Sequence, residues 1–252
     1  MVSNDVDYAF IHGGGQGSWI WRETIAALER QAGGNIGRVV ALDAPGCGGK
    51  RGRRTDDLSI EDVARELTGE LERSAATNVI LVGHSQAAQA MIFMVKERPE
   101  LFRRLVYVSC SAPLPGQSVQ QMIGGGLHGA NSSQVGWPLD PNTSSATERQ
   151  SLMFCNDMQE PGKSEFLAKL GKDMWPLRTY SSTNWNYEHL GRVLATFVLC
   201  LKDMSLPAPW QEIFASRLKA QKIVRIDAGH QVMNTRPEAL AEILRYEAGD
   251  RP

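Results

Sequence analysis

Short runs of branched and aromatic residues punctuate the chain at regular intervals: Tyr8-Ala9-Phe10-Ile11, Val39-Val40-Ala41-Leu42, Val79-Ile80-Leu81-Val82, Leu105-Val106-Tyr107-Val108, Thr196-Phe197-Val198-Leu199-Cys200 and Ile223-Val224-Arg225-Ile226. Each is short and almost wholly apolar, the pattern of a strand buried on both faces. Between them the spacing changes to a helical period: Trp19 to Arg30, Ile60 to Leu71 with Val63, Leu67 and Leu71 on one face, Gln86 to Val95, a helix through Phe214, and a last helix opened by Pro237. Alternating buried strands and amphipathic helices predict an α/β fold, a mainly parallel sheet of about six strands flanked by helices. The alternation stops between Pro113 and Tyr187, where Gly, Ser, Asn and Pro become frequent and only Ser164 to Lys172 has the look of a short helix. The pattern therefore divides the chain into a core of residues 1–112 and 188–252 and an insertion at 113–187.

The most informative stretch is Val79-Ile80-Leu81-Val82-Gly83-His84-Ser85-Gln86-Ala87-Ala88, where a strand becomes a helix across one serine. A serine on such a sharp turn is held in a strained backbone conformation and needs very small neighbours two positions away on each side, which Gly83 and Ala87 supply. The turn lifts the Ser85 hydroxyl over the end of the sheet and aims the first amides of the helix, Gln86 foremost, at whatever the serine attacks. On the five residues Gly83 to Ala87 alone, a bland strand–helix turn closed by a polar residue competes equally; the strand and helix that flank them favour the nucleophile turn.

A second glycine-rich turn, His12-Gly13-Gly14-Gly15-Gln16-Gly17-Ser18, follows the first strand. A dinucleotide site would need a third glycine where Ser18 stands, so the better reading is a backbone N–H, that of Gly14, approaching a reacting carbonyl oxygen together with Gln86. A serine nucleophile needs a base and the base needs an acid. Of the histidines, His84 points the other way on its strand, His12 sits in the glycine turn, and His128 and His189 belong to the insertion and its exit; His230 alone follows a downstream strand with a glycine before it and a helix after it. Among carboxylates, Asp203 lies just past Cys200, whereas Asp227 is too near His230 in sequence to orient it, so Asp203 is the expected acid.

Composition narrows the partners. A net charge of −1 gives no reason to expect nucleic acid, and the basic cluster Lys50, Arg51, Arg53 and Arg54 runs straight into Asp56 and Asp57, as a solvated loop does. No apolar stretch approaches a membrane span and Met1 to Asp5 do not resemble a signal sequence, which predicts a cytoplasmic protein without a membrane partner. Cys47, Cys110, Cys155 and Cys200 are far apart, with no metal-binding or redox pairing, and read as free thiols. The chemistry calls for neither metal nor organic cofactor. The partner is a small-molecule substrate; the pattern does not specify the oligomeric state and is compatible with a homodimer.

Taken together, the strand leading into His12-Gly13-Gly14, the turn Gly83-His84-Ser85-Gln86-Ala87, Lys202-Asp203 and Gly229-His230 resemble the α/β-hydrolase fold superfamily, in particular the small plant methyl-esterase and hydroxynitrile-lyase branch and its bacterial esterase relatives. The resemblance covers nearly the whole chain and implies a cap, or lid, at the place of the insertion, a Ser85, His230, Asp203 triad and an oxyanion hole of the Gly14 and Gln86 amides. Two departures stand out: Ala87 replaces the usual glycine of the turn, and Gln231 stands where the lyases carry a catalytic lysine. The implied activity is a carboxylesterase-type serine hydrolase acting through an acyl-enzyme on small to medium apolar or aromatic esters. Hydrolysis of a carbamate, lactone or amide, hydroxynitrile lysis and non-catalytic ligand reception are the alternatives. The substrate pocket is expected between His12 and Gly13 on the sheet side and Met122, Trp137, Met153, Phe154 and Trp175 of the insertion, with an apolar wall; singly, each of these apolar residues also suits core packing.

Overall fold

The computed structural model describes residues 6–249, so the stretch Met1 to Asp5, read above for a leader, lies outside the described residues. Six strands, β1 (Asp7–Ile11), β2 (Val39–Leu42), β3 (Val79–His84), β4 (Phe102–Val108), β5 (Leu194–Cys200) and β6 (Lys222–Ile226), form one sheet in the order β2-β1-β3-β4-β5-β6. Every pairing is parallel. The flanking helices are α1 (Arg22–Ala32), α2 (Ile60–Arg73) and α3 (Ala87–Glu97) before β4, and α7 (Ala208–Arg217), α8 (Val232–Thr235) and α9 (Pro237–Gly249) after β5, with α4 (Val119–Ile123), α5 (Ala146–Cys155) and α6 (Gly162–Lys169) in the segment between β4 and β5.

The strands bury both faces because alternate side chains serve two cores. Tyr8, Phe10, Ile80, Val82, Val106, Val108 and Val198 pack with Leu28 of α1 and Leu244 of α9. Ala9, Ile11, Leu81, Leu105, Tyr107, Phe197 and Leu199 pack with α2, α3 and Phe214 of α7. Helix α2 begins with a capping box, Ser59 Oγ accepting from the Asp62 amide and Asp62 from the Ser59 amide, and buries Ile60, Val63, Leu67 and Leu71, each contributing roughly 1.5–3 kcal/mol. Helix α3 has no solvent face for its first nine residues, Ala87 to Val95 all being buried.

Two expected helices differ in extent. Trp19 to Arg30 is not one helix: Ser18–Trp21 is a 3₁₀ turn and α1 starts at Arg22, because the Ser18 amide is drawn to the Asp43 carboxylate at 2.6 Å. The short helix of the insertion ends at Lys169, since Gly171 takes a left-handed conformation (φ +78°) and its amide bonds the Gly15 carbonyl at 2.9 Å.

The segment between β4 and β5 adds no strand to the sheet and shares the core of the rest of the chain: Met122, Val135, Trp175 and Trp185 belong to the cluster that includes α2 and α3. It is also tied down by Asp173, which accepts from the Trp19 indole, the Gly48 amide and the Arg51 guanidinium. That contact accounts for one cation of the basic cluster; Lys50 and Arg53 pair with Glu66, and Arg54 with Asp56 and Asp57. All four cysteines are buried free thiols. Among the described residues no helix is long and apolar enough to cross a membrane.

Candidate active site

Strand order reverses between β1 and β3, and their register aligns Ile11 with Gly83, so the His12-Gly13-Gly14 turn and the His84-Ser85-Gln86 turn leave the sheet side by side. Such a switch point at the carboxyl ends of parallel strands is where open α/β sheets take ligands. The backbones are close: a Cβ on Gly13 would lie 3.1 Å from the Ser85 Cβ and 2.9 Å from His84 Nδ1.

Ser85 has φ of +54°, a left-handed value that a side chain adopts only under constraint. The constraint comes from its backbone partners: its amide bonds the Val108 carbonyl at 3.1 Å and its carbonyl receives the Ser111 amide at 3.2 Å. Gly83 leaves the room the turn needs, because a Cβ there would meet Met91 Sδ at 2.2 Å, while Ala87 fits at the other side of the turn. The Gly14 and Gln86 amides, which flank Ser85, have no protein acceptor among the described residues. A buried N–H is rarely left unpaired without a purpose.

Beyond β5 and β6 two loops meet. His230, fully buried, donates from Nδ1 to Asp203 Oδ2 at 2.6 Å, which leaves Nε2 with a free lone pair and no hydrogen-bond partner. Asp203 is held from every side: Oδ1 accepts the Ser205 and Leu206 amides, each at 2.7 Å, and Oδ2 also accepts the Ser109 hydroxyl. A carboxylate with this many donors is fixed in place, as an orienter of imidazole must be. Asp227 instead faces solvent and pairs with Lys202 at 2.8 Å. His84 donates from Nε2 to the His230 carbonyl at 3.0 Å and packs tilted against its ring with centroids 4.5 Å apart, and burial holds the His84 pKa well below the usual imidazole value.

A cavity of about 130 Å³ opens over Ser85, lined also by Gly14, Gln86, Met122, Trp137, Met153 and Phe154. Phe154 packs its other side on the His230 ring at 5.4 Å, so one side chain of the inserted segment bounds both the cavity and the imidazole. Three residues expected in the pocket are not in its wall. His12 accepts the Ala44 amide at Nε2 and donates to the Gly13 carbonyl from Nδ1, burial lowering its pKa, and the Trp175 indole donates to the same carbonyl at 3.2 Å. His12, Gly13 and Trp175 thus brace the glycine turn from behind, because their polar atoms are already consumed by backbone partners. Nor is the wall apolar throughout: Gln89, Ser111, Ser205 and Tyr180 also line it, and burial pushes the Tyr180 phenol up to about 12 although its bond to the Gln86 side chain works against this. Asp43, the acidic residue of the rejected dinucleotide reading, is spent on the Ser18 and Gly49 amides.

Several residues of the site carried no sequence signal. Ser109 directly follows β4, and only the sheet brings its hydroxyl to Asp203. Asn156 and Asp157, at the end of α5, reach the two loops from the insertion: Asn156 Nδ2 donates to the Lys202 carbonyl at 2.7 Å and Asp157 Oδ2 accepts the Gly229 amide at 2.8 Å.

A model of the alpha/beta hydrolase family matches residues 9–243. Over 94% of its length the chain is 26% identical to the chloroplastic methylesterase 11 of Arabidopsis thaliana, of whose length it spans 62%. It is also 26% identical, over 94% of its length and 98% of the relative's, to the carbendazim hydrolyzing esterase of Nocardioides sp. (strain SG-4G). Its fold is that of the pyrethroid hydrolase from Sphingobium faniae JZ-2, with a TM-score of 0.78 at 20% identity, covering 97% of this chain and 98% of the other.

Proposed function

The chain belongs to the alpha/beta hydrolase family, and on that footing we propose that it is a serine hydrolase of the carboxylesterase type. The relatives named as esterases support an ester substrate. The observation that carries the reading is the convergence on one strand-end edge of a strained, half-buried Ser85 and a His230 whose Nδ1 is bound to Asp203 at 2.6 Å and whose Nε2 is free.

In the proposed reaction His230 Nε2 takes the Ser85 proton as Oγ attacks the ester carbonyl. Ser85 Oγ and His230 Nε2 are not hydrogen-bonded in the unliganded chain, and the bond between them forms when substrate is bound. The oxyanion of the tetrahedral intermediate accepts from the Gly14 and Gln86 amides, whose donors are unspent, and removing one such donor in comparable sites costs about 2.7–4 kcal/mol. The alkoxide leaves with the proton from His230, and water, deprotonated by the same nitrogen, then releases the acid from the acyl-enzyme. Asp203 stabilises the imidazolium without taking its proton.

The segment between β4 and β5 acts as a cap, Met122, Trp137, Met153 and Phe154 closing over Ser85. A cavity of about 130 Å³ suits one ring or a short acyl chain, since a pocket of roughly 150 Å³ holds benzene. Small neutral esters are therefore the proposed substrates. Cyanohydrin lysis lacks support: no Lys or Arg lines the cavity, and Gln231 is buried away from it.

The deciding experiment is labelling with a fluorophosphonate. Native protein should gain one adduct, located at Ser85 by mass spectrometry, and Ser85→Ala should gain none. An unlabelled native protein, or a Ser85→Ala variant labelled equally, would refute the nucleophile.

A further inference from the structure

Helix α3 is buried along its first nine residues, and the stretch from Ala87 to Val95 contains a single polar side chain, Gln89. A glutamine in such a helix leaves two strong hydrogen-bonding atoms in an apolar setting, which is costly unless both find partners. Here neither does: Gln89 is fully buried, and Nε2 and Oε1 have no hydrogen-bond partner among the described residues. The side chain is not lost in the core, because it lines the cavity over Ser85. Gln16 and Gln231 also have unpartnered amides, but neither lines that cavity. Gln89 lies in the first turn of the helix that the Ser85 turn leads into and lines the same cavity as Ser85, within reach of a group a few bonds from the reacting carbonyl.

Building on the hydrolase reading above, we propose that Gln89 is a specificity determinant that reads a secondary amide or carbamate, an N–H beside a C=O, carried by the substrate close to its scissile ester. The carboxamide presents one acceptor and two donors in a plane, so it matches a group that offers one donor and one acceptor side by side. A carboxylate would use only the donors and face the Oε1 lone pairs. The cavity also holds nothing to balance a charge: its wall contains no Lys, Arg, His, Asp or Glu. A hydrocarbon of the same shape would leave both amide atoms unpaired in the complex, and sites built to hydrogen-bond a substrate discriminate most strongly against analogues that lack the group. The preference is thus for neutral, amide-bearing esters over purely apolar ones.

The test uses two isosteric pairs, so that the amide is placed on either side of the ester. The first is N-acetylglycine p-nitrophenyl ester against p-nitrophenyl 4-methylpentanoate; the second is the acetate of N-acetylethanolamine against that of 4-methylpentan-1-ol. For each pair the ratio of kcat/KM, amide over hydrocarbon, is measured in the native protein and in Gln89→Met, which conserves volume and removes both hydrogen-bonding atoms. Dividing one ratio by the other cancels the intrinsic reactivity of the esters. The expected result is a fall in the ratio of tenfold or more in at least one pair, carried by a loss on the amide-bearing ester. A change below threefold in both pairs, or an equal loss on all four esters, overturns the assignment and leaves Gln89 a packing residue. If Gln89→Met does not fold, Gln89→Leu, which likewise lacks both hydrogen-bonding atoms, is read by the same criterion. Fluorophosphonate labelling of native protein is run in parallel: a protein that labels but shows an unmoved ratio loses only the Gln89 proposal, whereas one that neither labels nor hydrolyses any of the four esters loses the hydrolase reading itself.

Discussion

Asp157, just past the end of α5, accepts the amide of Gly229 at 2.8 Å, one residue before His230. The same oxygen accepts the Thr235 hydroxyl at 3.1 Å, so a carboxylate of the inserted segment closes the loop that carries the proposed base. Gly229 is needed for this approach, since a Cβ there would lie 2.6 Å from Asp157 Oδ1. Removing the carboxylate in Asp157→Ala should let His230 drift from its working position; kcat is expected to fall about 10- to 100-fold, as small misplacements of a reacting group do. KM should change less than threefold, because Asp157 does not line the cavity over Ser85. Asp157→Asn keeps an acceptor for both donors and should recover most of the loss. Steady-state kinetics on the three proteins check this, and equal kcat in all of them would mean that the loop holds itself.

Asp203→Asn should lower kcat by roughly 10⁴-fold with the circular dichroism spectrum unchanged, since an amide neither stabilises the imidazolium nor enforces the Nδ1–H tautomer. Asp227→Asn, at an exposed surface pair with Lys202, should stay within about twofold of native. The reverse ranking would transfer the role of acid to Asp227.

The turn at Ser85 depends on Gly83, where an added methyl would meet Met91 Sδ at 2.2 Å. Gly83→Ala should therefore cost about 1–3 kcal/mol, a fall in melting temperature of roughly 2–12 °C for a chain of this size. A melting temperature within a degree of native would show that Met91 yields freely and that the packing of the turn is looser than described.

Stability should also fall in mild acid. Burial lowers the pKa of His12 and of His84 below the unfolded value near 6.5, so below that pH the unfolded chain binds protons that the folded chain refuses. The contribution of each neutral histidine is present above the unfolded pKa and lost as pH falls through and below it, at a slope of up to about 1.4 kcal/mol per pH unit for each proton. Urea midpoints measured at pH 7.5 and 5.5 should drop for the native protein and drop less for His84→Asn. Equal midpoints at the two pH values would contradict the burial argument.

What the sequence determined by itself are the features written in local spacing. The six strands were legible because apolar runs of four or five residues bounded by turn residues leave few alternatives, and the turn at Ser85 because Gly83 and Ala87 are needed within the same few residues. Asp203 and His230, singled out by their places past strand ends, lie 2.6 Å apart because β5 and β6 are parallel neighbours whose ends coincide. What only the tertiary structure decided are contacts between residues far apart in the chain, whose partners are chosen by sheet order and by which polar atoms are still free. Ser109 meets Asp203 across 94 positions, and Asp157 meets Gly229 across 72. His12 and Trp175, expected at the pocket, turn instead to backbone groups, the Gly13 carbonyl and the Ala44 amide, because those groups would otherwise be buried unpaired. Gln89 is visible in the sequence as a lone polar residue, but in a helix buried on every side no periodicity tells which face looks into the cavity over Ser85; only the packed structure makes that choice.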